Sequence, residues 1–341
     1  MYRAVVKGFG GIDQLALEDS PMPVPGPGEV LVRLTSIGMN HAELMARRGQ
    51  YRLVSGNPPF IPGLEGGGII TAVGEGVDNV PNAELRRSEG QRVVLSLDAP
   101  ASRGLGQGTY QSHYVVAADK TVLAPEAIPD EWLGALWLPF LTAWGCLVWR
   151  QNMQPGDRVL IPAASSSVAI AASQVVKYYG GLAVGTTTRP EKVSRLAALP
   201  EARFDHIVVT QEPHWWREAK KLTEGKGFNI IFDPVAAGEF LNQEIRLLAP
   251  QGTLWIYGLL GQPDTVNVTP LIRKMASLRG WLLNEIVASG SEQGAYRHIL
   301  DRVADGTYAL PVAQTFSLRD VQQAHTAMET GNHIGKLILV P

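Results

Sequence analysis

Hydrophobic and polar positions divide the chain into two regimes. From residue 1 to about 124, apolar residues come in short runs: Arg3-Ala4-Val5-Val6, Glu29-Val30-Leu31-Val32-Arg33-Leu34, Ile69-Ile70-Thr71-Ala72-Val73 and Arg92-Val93-Val94-Leu95. Runs of this length, rich in β-branched residues and bounded by Gly and Pro, predict strands. The connector PMPVPGPGE, and further Gly/Pro turns at short intervals, predict a small, irregular, barrel-like β domain. One short helix is expected there, from Asn40 to Arg48. From about 125 to 284 the period changes. Val159-Leu160-Ile161, Leu182-Ala183-Val184, Ile207-Val208-Val209, Ile230-Ile231-Phe232-Asp233, 253–258 and 278–283 read as strands, with helical spacing between them at 168–179, 215–222 and 238–248. Strands alternating with helices predict an α/β fold with a doubly wound parallel sheet. A helix at 290–306 and a closing strand at 333–340 are expected to return to the first domain. The domains are therefore read as 1–124 with 285–341, and 125–284.

The stretch GDRVLIPAASSSVAIAASQVVKYYGGLAVGTTTRPEK, Gly156 to Lys192, reads as strand, turn, helix, strand. Ala163 to Ser167 are all small, which permits a tight turn and close approach of a ligand. Apolar residues at 168, 171, 172, 175, 176 and 179 share a helix face, and Gly180-Gly181 ends that helix. A small-residue turn at a helix N-terminus inside a βαβ unit suits a phosphate, because unpaired N–H groups and the helix dipole both favour an anion. The dinucleotide motif puts glycines in this turn. Ala163, Ser166 and Ala169 stand in the corresponding places, so a βαβ unit without a ligand is the competing reading. Ser165, Ser166, Ser167 and Val168 are the candidate phosphate contacts, since a hydroxyl can donate to a phosphate oxygen.

Composition narrows the field. The 341 residues give room for two domains, the formal net charge is -2, and 45% of residues are hydrophobic. Neither nucleic acid nor an anionic membrane is an expected partner. No apolar run approaches the about 20 residues that span a bilayer, and the first residues lack a signal-peptide core. A cytoplasmic location is the expectation. The single cysteine, Cys146, excludes an internal disulfide and any cysteine-rich zinc site. It lies in an apolar stretch and reads as buried and inert.

Several segments, each modest alone, then occur in one order: Gly38-Met39-Asn40 with Arg47-Arg48-Gly49-Gln50-Tyr51, Pro62-Gly63-Leu64-Glu65-Gly66-Gly67-Gly68, Gly108-Thr109-Tyr110, Leu141-Thr142-Ala143-Trp144, Gly156-Asp157-Arg158-Val159-Leu160, Phe232-Asp233-Pro234-Val235, Tyr257-Gly258 and Gly335-Lys336. Together they resemble the medium-chain dehydrogenase/reductase superfamily over essentially the whole chain, most closely its zinc-independent branch of NADPH:quinone oxidoreductases and enoyl reductases. The resemblance implies a Rossmann cofactor domain, a GroES-like catalytic domain and a homodimer, joined through edge strands near 253–268. It also identifies the positions at which zinc-dependent relatives hold their catalytic metal. Here they are Asn40, Leu64 and Leu138, and the proton-relay hydroxyl is replaced by Ala42. A leucine ligates no metal, and a catalytic zinc needs three protein ligands. No metal site is expected.

An NAD site usually carries an acidic residue about 20 residues past the glycine turn. Gly185-Thr186-Thr187-Thr188-Arg189-Pro190-Glu191-Lys192 offers hydroxyls, an Arg and a Lys at that strand tip instead. Thr187, Thr188, Arg189 and Lys192 therefore point to the 2′-phosphate of NADPH. Resemblance adds Thr142, Tyr257, Gly258 and Leu260 near the nicotinamide, with Lys336 as a further cofactor contact. Without a metal, the acceptor must be polarised by hydrogen bonds. Asn40 offers an N–H and Tyr51 an O–H, the matching tyrosine being the proposed proton donor of related enoyl reductases. Plainer roles compete with these, a helix cap for Asn40 and a packed surface ring for Tyr51. Glu43 and Glu65 are read as orienting or structural. The expected activity is reduction of a small-molecule quinone or of an activated C=C bond in an α,β-unsaturated carbonyl compound. A non-catalytic NADPH-binding protein is the alternative.

Overall fold

The computed structural model describes residues 1–77 and 86–341. In chain order it opens with β1 (Tyr2–Val6) and β2 (Leu15–Asp19), an antiparallel pair, followed by β3 (Glu29–Gly38), β4 (Gly67–Val73), β5 (Arg92–Leu95), β6 (His113–Ala117) and β7 (Thr121–Leu123). The long strand β3 is the spine of this part. Its first half pairs with β6 on one side, most of its length with β4 on the other, and its last two residues with the C-terminal strand. One long strand serves three partners because register shifts at Leu31/Val32 and Leu34/Ser36 bend it, as bulges do. Alternating apolar side chains such as Val30, Val32 and Leu34 point into a core shared with Leu44, Phe60, Tyr110 and Tyr114.

The next six strands are β8 (Arg158–Ile161), β9 (Leu182–Thr187), β10 (His206–Val209), β11 (Phe228–Asp233), β12 (Leu248–Ile256) and β13 (Ser277–Gly280). They form one parallel sheet in the order β10-β9-β8-β11-β12-β13. Numbered from β8, this is 3-2-1-4-5-6, the doubly wound order whose topological switch falls between β8 and β11. The central strands β8 and β11 are largely apolar and buried, as strands covered on both faces require. The chain closes with β14 (Val312–Ser317) and β15 (Lys336–Val340), where β15 pairs with β3 and extends the first sheet.

By contact, the chain divides into two compact units, 1–138 with 287–341, and 139–286. The first crossing lies at Leu138/Pro139 rather than near 124/125, and the second at 286/287 rather than 284/285. The reason for the first difference is local. Gly134 N–H donates to Ser36 Oγ at 2.6 Å, Trp137 Nε1 to the Leu95 carbonyl at 2.7 Å, and Leu138 N–H to Glu65 at 3.0 Å. These bonds bind 125–138 to the β domain before the next helix, Trp137–Trp144, carries the chain away. The expected dimer strands also need correction. β12 is interior, between β11 and β13, so the edges of the parallel sheet are β10 and, on the side of β12, β13 (Ser277–Gly280). Among the described residues, no helix is long and apolar enough to cross a membrane.

Candidate active site

In the second unit, the switch point presents the carboxyl ends of β8 and β11. After Ile161 the chain turns through Ala163, whose φ of 53° lies in the left-handed region that a glycine adopts freely. Ser166 then caps the helix Ser167–Tyr178, its Oγ accepting from Ala169 N–H at 3.1 Å. One of the three turn serines is thus used by the protein to start its own helix. The N–H groups of the first turn have no carbonyl partner within that helix, and one of them, Ala169 N–H, is taken up by Ser166.

At the tip of β9, Thr187 is buried and its Oγ1 accepts from Arg189 N–H at 3.2 Å, while Thr188 is exposed. Lys192 is 5% exposed, and its Nζ donates to Ser165 Oγ at 2.9 Å. Burial, with Arg189 and Arg195 close by, lowers its pKa to about 8. The structure therefore joins the phosphate turn to the basic strand tip through one lysine–serine bond. Arg195, three residues past Lys192 on the helix Glu191–Ala197, is a third cation that the sequence reading passed over. Lys192 and Arg195 are three residues apart on that helix, and Arg189 lies just before it.

At β11, Asp233 accepts from Val235 N–H and Ala236 N–H, both at 2.7 Å, and so shapes the turn beyond the strand. Glu244, fully buried on the helix Gly238–Leu247, faces Asp233. Its carboxyl is held well above the ordinary range by burial first and by the Asp233 charge second. Tyr257 stacks on Phe232 with centroids 4.0 Å apart, and its buried hydroxyl lies by Ser166. Gly258 passes so close to Pro234 that a Cβ would lie 2.9 Å from its carbonyl oxygen. The Leu260 side chain is 43% exposed, while its N–H is held by the Pro234 carbonyl at 2.9 Å. Thr142 is nearly buried, its carbonyl accepting from Trp281 Nε1 at 3.1 Å. Cys146 is buried, as expected.

In the first unit, Asn40 begins the helix His41–Arg47, and Glu43 Oε2 accepts from the Asn40 backbone N–H at 2.6 Å. The Asn40 side chain is enclosed by charged partners. Its Oδ1 accepts from Lys336 Nζ at 2.6 Å, and its Nδ2 faces Glu65 Oε1, Gly38 O and Glu43 Oε1 at 3.2, 3.3 and 3.4 Å. Lys336 Nζ also donates to Glu65 Oε1 at 2.6 Å, each side chain 1% exposed. Leu64 and Leu138, the other two positions matching zinc ligands, contribute backbone N–H groups to Glu43 Oε1 (3.2 Å) and Glu65 Oε2 (3.0 Å). Burial raises the Glu43 carboxyl to about 7, against the lowering influence of Lys336 and the Asn40 hydrogen bonds. Tyr51 is half-buried beside the core, and burial raises its phenol. His41 and His113 are not part of this cluster.

Lys336, expected as a cofactor contact, has its bonded partners among side chains of the first unit. Its ammonium is engaged within the β domain, by Glu65 and Asn40. The sequence held a signal for this: a lysine opening the otherwise apolar strand KLILV must find a carboxylate, because an unpaired buried charge is prohibitively costly.

Comparison with known proteins agrees with this architecture. Residues 26–126 match the alcohol dehydrogenase GroES-like domain family and residues 167–304 the zinc-binding dehydrogenase family. The human synaptic vesicle membrane protein VAT-1 homolog is 30% identical, over 99% of this chain and 86% of that protein. The 2-haloacrylate reductase of a Burkholderia species is 27% identical, over 99% and 98%. The crystal structure of Escherichia coli quinone oxidoreductase complexed with NADPH superposes over all of both chains with a TM-score of 0.86 at 25% identity. The chain belongs to the medium-chain dehydrogenase/reductase superfamily of oxidoreductases.

Proposed function

We propose that this protein is an NADPH-dependent reductase that uses no metal and reduces quinones or the activated C=C bond of small α,β-unsaturated carbonyl compounds. The observation that carries the cofactor choice is Lys192: a lysine nearly out of water, bonded to a turn serine and crowded by Arg189 and Arg195. Three cations gathered at a strand tip suit a dianion. A 2′-phosphate supplies one and a ribose 2′-hydroxyl does not. The NADPH in the Escherichia coli structure supports the same reading. In this reading Ser165, Ser167 and the Val168 N–H meet the pyrophosphate, Thr187, Thr188, Arg189 and Lys192 the 2′-phosphate, and Tyr257, Gly258, Leu260 and Thr142 flank the nicotinamide.

When bound, the reduced nicotinamide supplies two electrons and one hydrogen as hydride. The protein's own task is to receive the charge that then develops on the acceptor oxygen and to deliver a proton. Tyr51, kept protonated at neutral pH, is the proton donor for an enone, and Asn40 orients the acceptor. Metal-free chemistry is supported by the donor set. Leu64 and Leu138 offer only backbone N–H groups, which point at carboxylates, and an ammonium rests on Asn40 Oδ1. We further propose a homodimer.

The test is oxidation of NADPH and of NADH with benzoquinone, a naphthoquinone, a 2-alkenal and a 2-enone, with and without chelator. Turnover with NADPH that survives chelation is expected. Preference for NADH would remove the role given to Lys192, and a chelator-sensitive rate the metal-free chemistry. NADPH binding without turnover on any acceptor would favour a non-catalytic role. Tyr51→Phe separates the substrates, because enone reduction needs a placed proton donor and should fall steeply, with quinone reduction retained.

A further inference from the structure

Asn40 at the acceptor site depends on a charge that lies behind it. A lysine ammonium only donates, so the atom it meets at 2.6 Å must be the amide oxygen. Lys336 thereby fixes which way the Asn40 amide faces. The same ammonium bonds Glu65 at 2.6 Å, and it is the cation whose charge also acts on Glu43. The two carboxylates take backbone N–H groups from Asn40, Leu64 and Leu138, so the loops carrying those residues converge on the pair. Gly38 completes the enclosure. A Cβ at that position would collide with the Glu65 carboxylate and with the Gly134 carbonyl.

Such an arrangement has a consequence for any reaction that builds negative charge nearby. Negative charge on the buried carboxyl groups beside Asn40 opposes an oxyanion, and the one ammonium, paired with Glu65, offsets one such charge. We propose that Lys336 is a positioning residue for the reduction: its ammonium holds the Asn40 amide in one orientation and offsets the Glu65 charge beside the acceptor, a charge carried by the chain itself. This inference rests on the reductase reading above and assigns Lys336 to the acceptor rather than to the cofactor.

The folding-safe variant is K336M/E65Q, which removes both charges of the ion pair and strands neither. The full-length protein would be compared with wild type for melting temperature, for NADPH dissociation constant by fluorescence titration, and for kcat and KM on the best acceptor. A native-like melting temperature and NADPH affinity within about threefold of wild type are expected, with kcat lower by roughly a hundredfold, the scale of misplacing a positioned group; the two charges removed cancel, so this variant reads the orientation of Asn40. A kcat within threefold of wild type would reduce Lys336 to a structural ion pair and overturn the proposal. So would a tenfold weaker NADPH affinity with kcat preserved at saturation, because it would return Lys336 to the cofactor. Should the double variant fail to fold, N40S leaves the Lys336–Glu65 pair intact and removes the amide. The same loss of kcat is expected of it, and an unchanged kcat overturns the proposal. Absence of turnover in the wild type would overturn the reductase reading and this inference with it; turnover in the wild type and an unimpaired variant would overturn the inference alone.

Discussion

Lys192 shows how much of the proposed chemistry rests on one side chain. In the free protein, burial and two neighbouring guanidinium groups lower its pKa to about 8. A bound dianion reverses that pressure, so the pKa rises in the complex. The protonated lysine binds the phosphate, hence NADPH affinity is full below about 8 and falls as pH rises through and beyond that value. NADH, without the 2′-phosphate, should show no such decline, and titrations of both cofactors across the alkaline range measure the difference. Lys192→Met should weaken NADPH binding by about 10- to 100-fold, the range of a charge-assisted hydrogen bond, and leave NADH binding nearly unchanged. Equal losses for both cofactors would place Lys192 in the architecture of the turn instead. Ala163 is a second single-residue case. It stands where the motif has glycine and yet keeps the glycine-like backbone, with φ of 53°. Relief of that strain, set against the greater chain entropy of glycine when unfolded, makes Ala163→Gly neutral to about 1 kcal/mol stabilising. Chemical denaturation measures it, and a destabilised variant would show that the alanine methyl contributes packing worth more than the strain.

At the scale of elements, the sequence disclosed what local periodicity controls and little of what distant contacts decide. The helix at 168–179 emerges within a residue of its expected bounds, at Ser167–Tyr178, and the following strand starts at Leu182 as expected but runs on to Thr187, because small residues, helical spacing and a terminal Gly pair all lie within that one stretch. The domain boundary near 125 was illegible, because the tie is made by single hydrogen bonds to Ser36, Leu95 and Glu65, far away in the chain. The partners of Lys336 were hidden for the same reason. The lysine announces a need for a carboxylate, but nothing in KLILV says that Glu65 supplies it. The Asp233–Glu244 pair joins a strand to the following helix in a way that only the packed structure exposes. Glu244 holds a proton in the folded protein far above the pH at which it would lose it when unfolded, near 4.5. Its stabilising contribution is therefore full below about that pH and is lost as pH rises toward and through the folded value. Glu244→Gln keeps a neutral donor facing Asp233. The expected outcome is a melting temperature whose alkaline decline is shallower than in wild type. Glu244→Ala leaves the pair unsatisfied and should cost about 1–3 kcal/mol. Parallel pH–stability curves for wild type and Glu244→Gln would show that this acid does not govern the decline.

At the scale of the whole molecule, the outer edge of the parallel sheet is unfinished by the standards of a monomer. Among the described residues, β13 ends the sheet and presents one side of its backbone without a strand partner, an arrangement that folded proteins normally cover or guard with charge. Beside it in sequence, the helix Thr269–Lys274 carries Ile272 and is flanked by Val268 and Met275 at its two ends, and the three are 75%, 54% and 71% exposed. Lys274 anchors that helix by donating to the Leu248 carbonyl at 2.6 Å, so the apolar face is held outward rather than free to fold inward. Apolar exposure concentrated next to an open edge marks an association surface. A second copy of the same chain, meeting it about a two-fold axis, would cover both the strand edge and the apolar face with the same residues. The proposed dimer should therefore be seen by light scattering at micromolar concentration, and Ile272→Glu, which places like charges across the axis, should yield a monomer that still binds NADPH. A wild-type monomer would remove the dimer from the proposal. A dimeric Ile272→Glu protein would shift the interface away from this helix, and in neither case would the arguments for the Lys192 and Lys336 sites change, because all of their contacts lie within one chain.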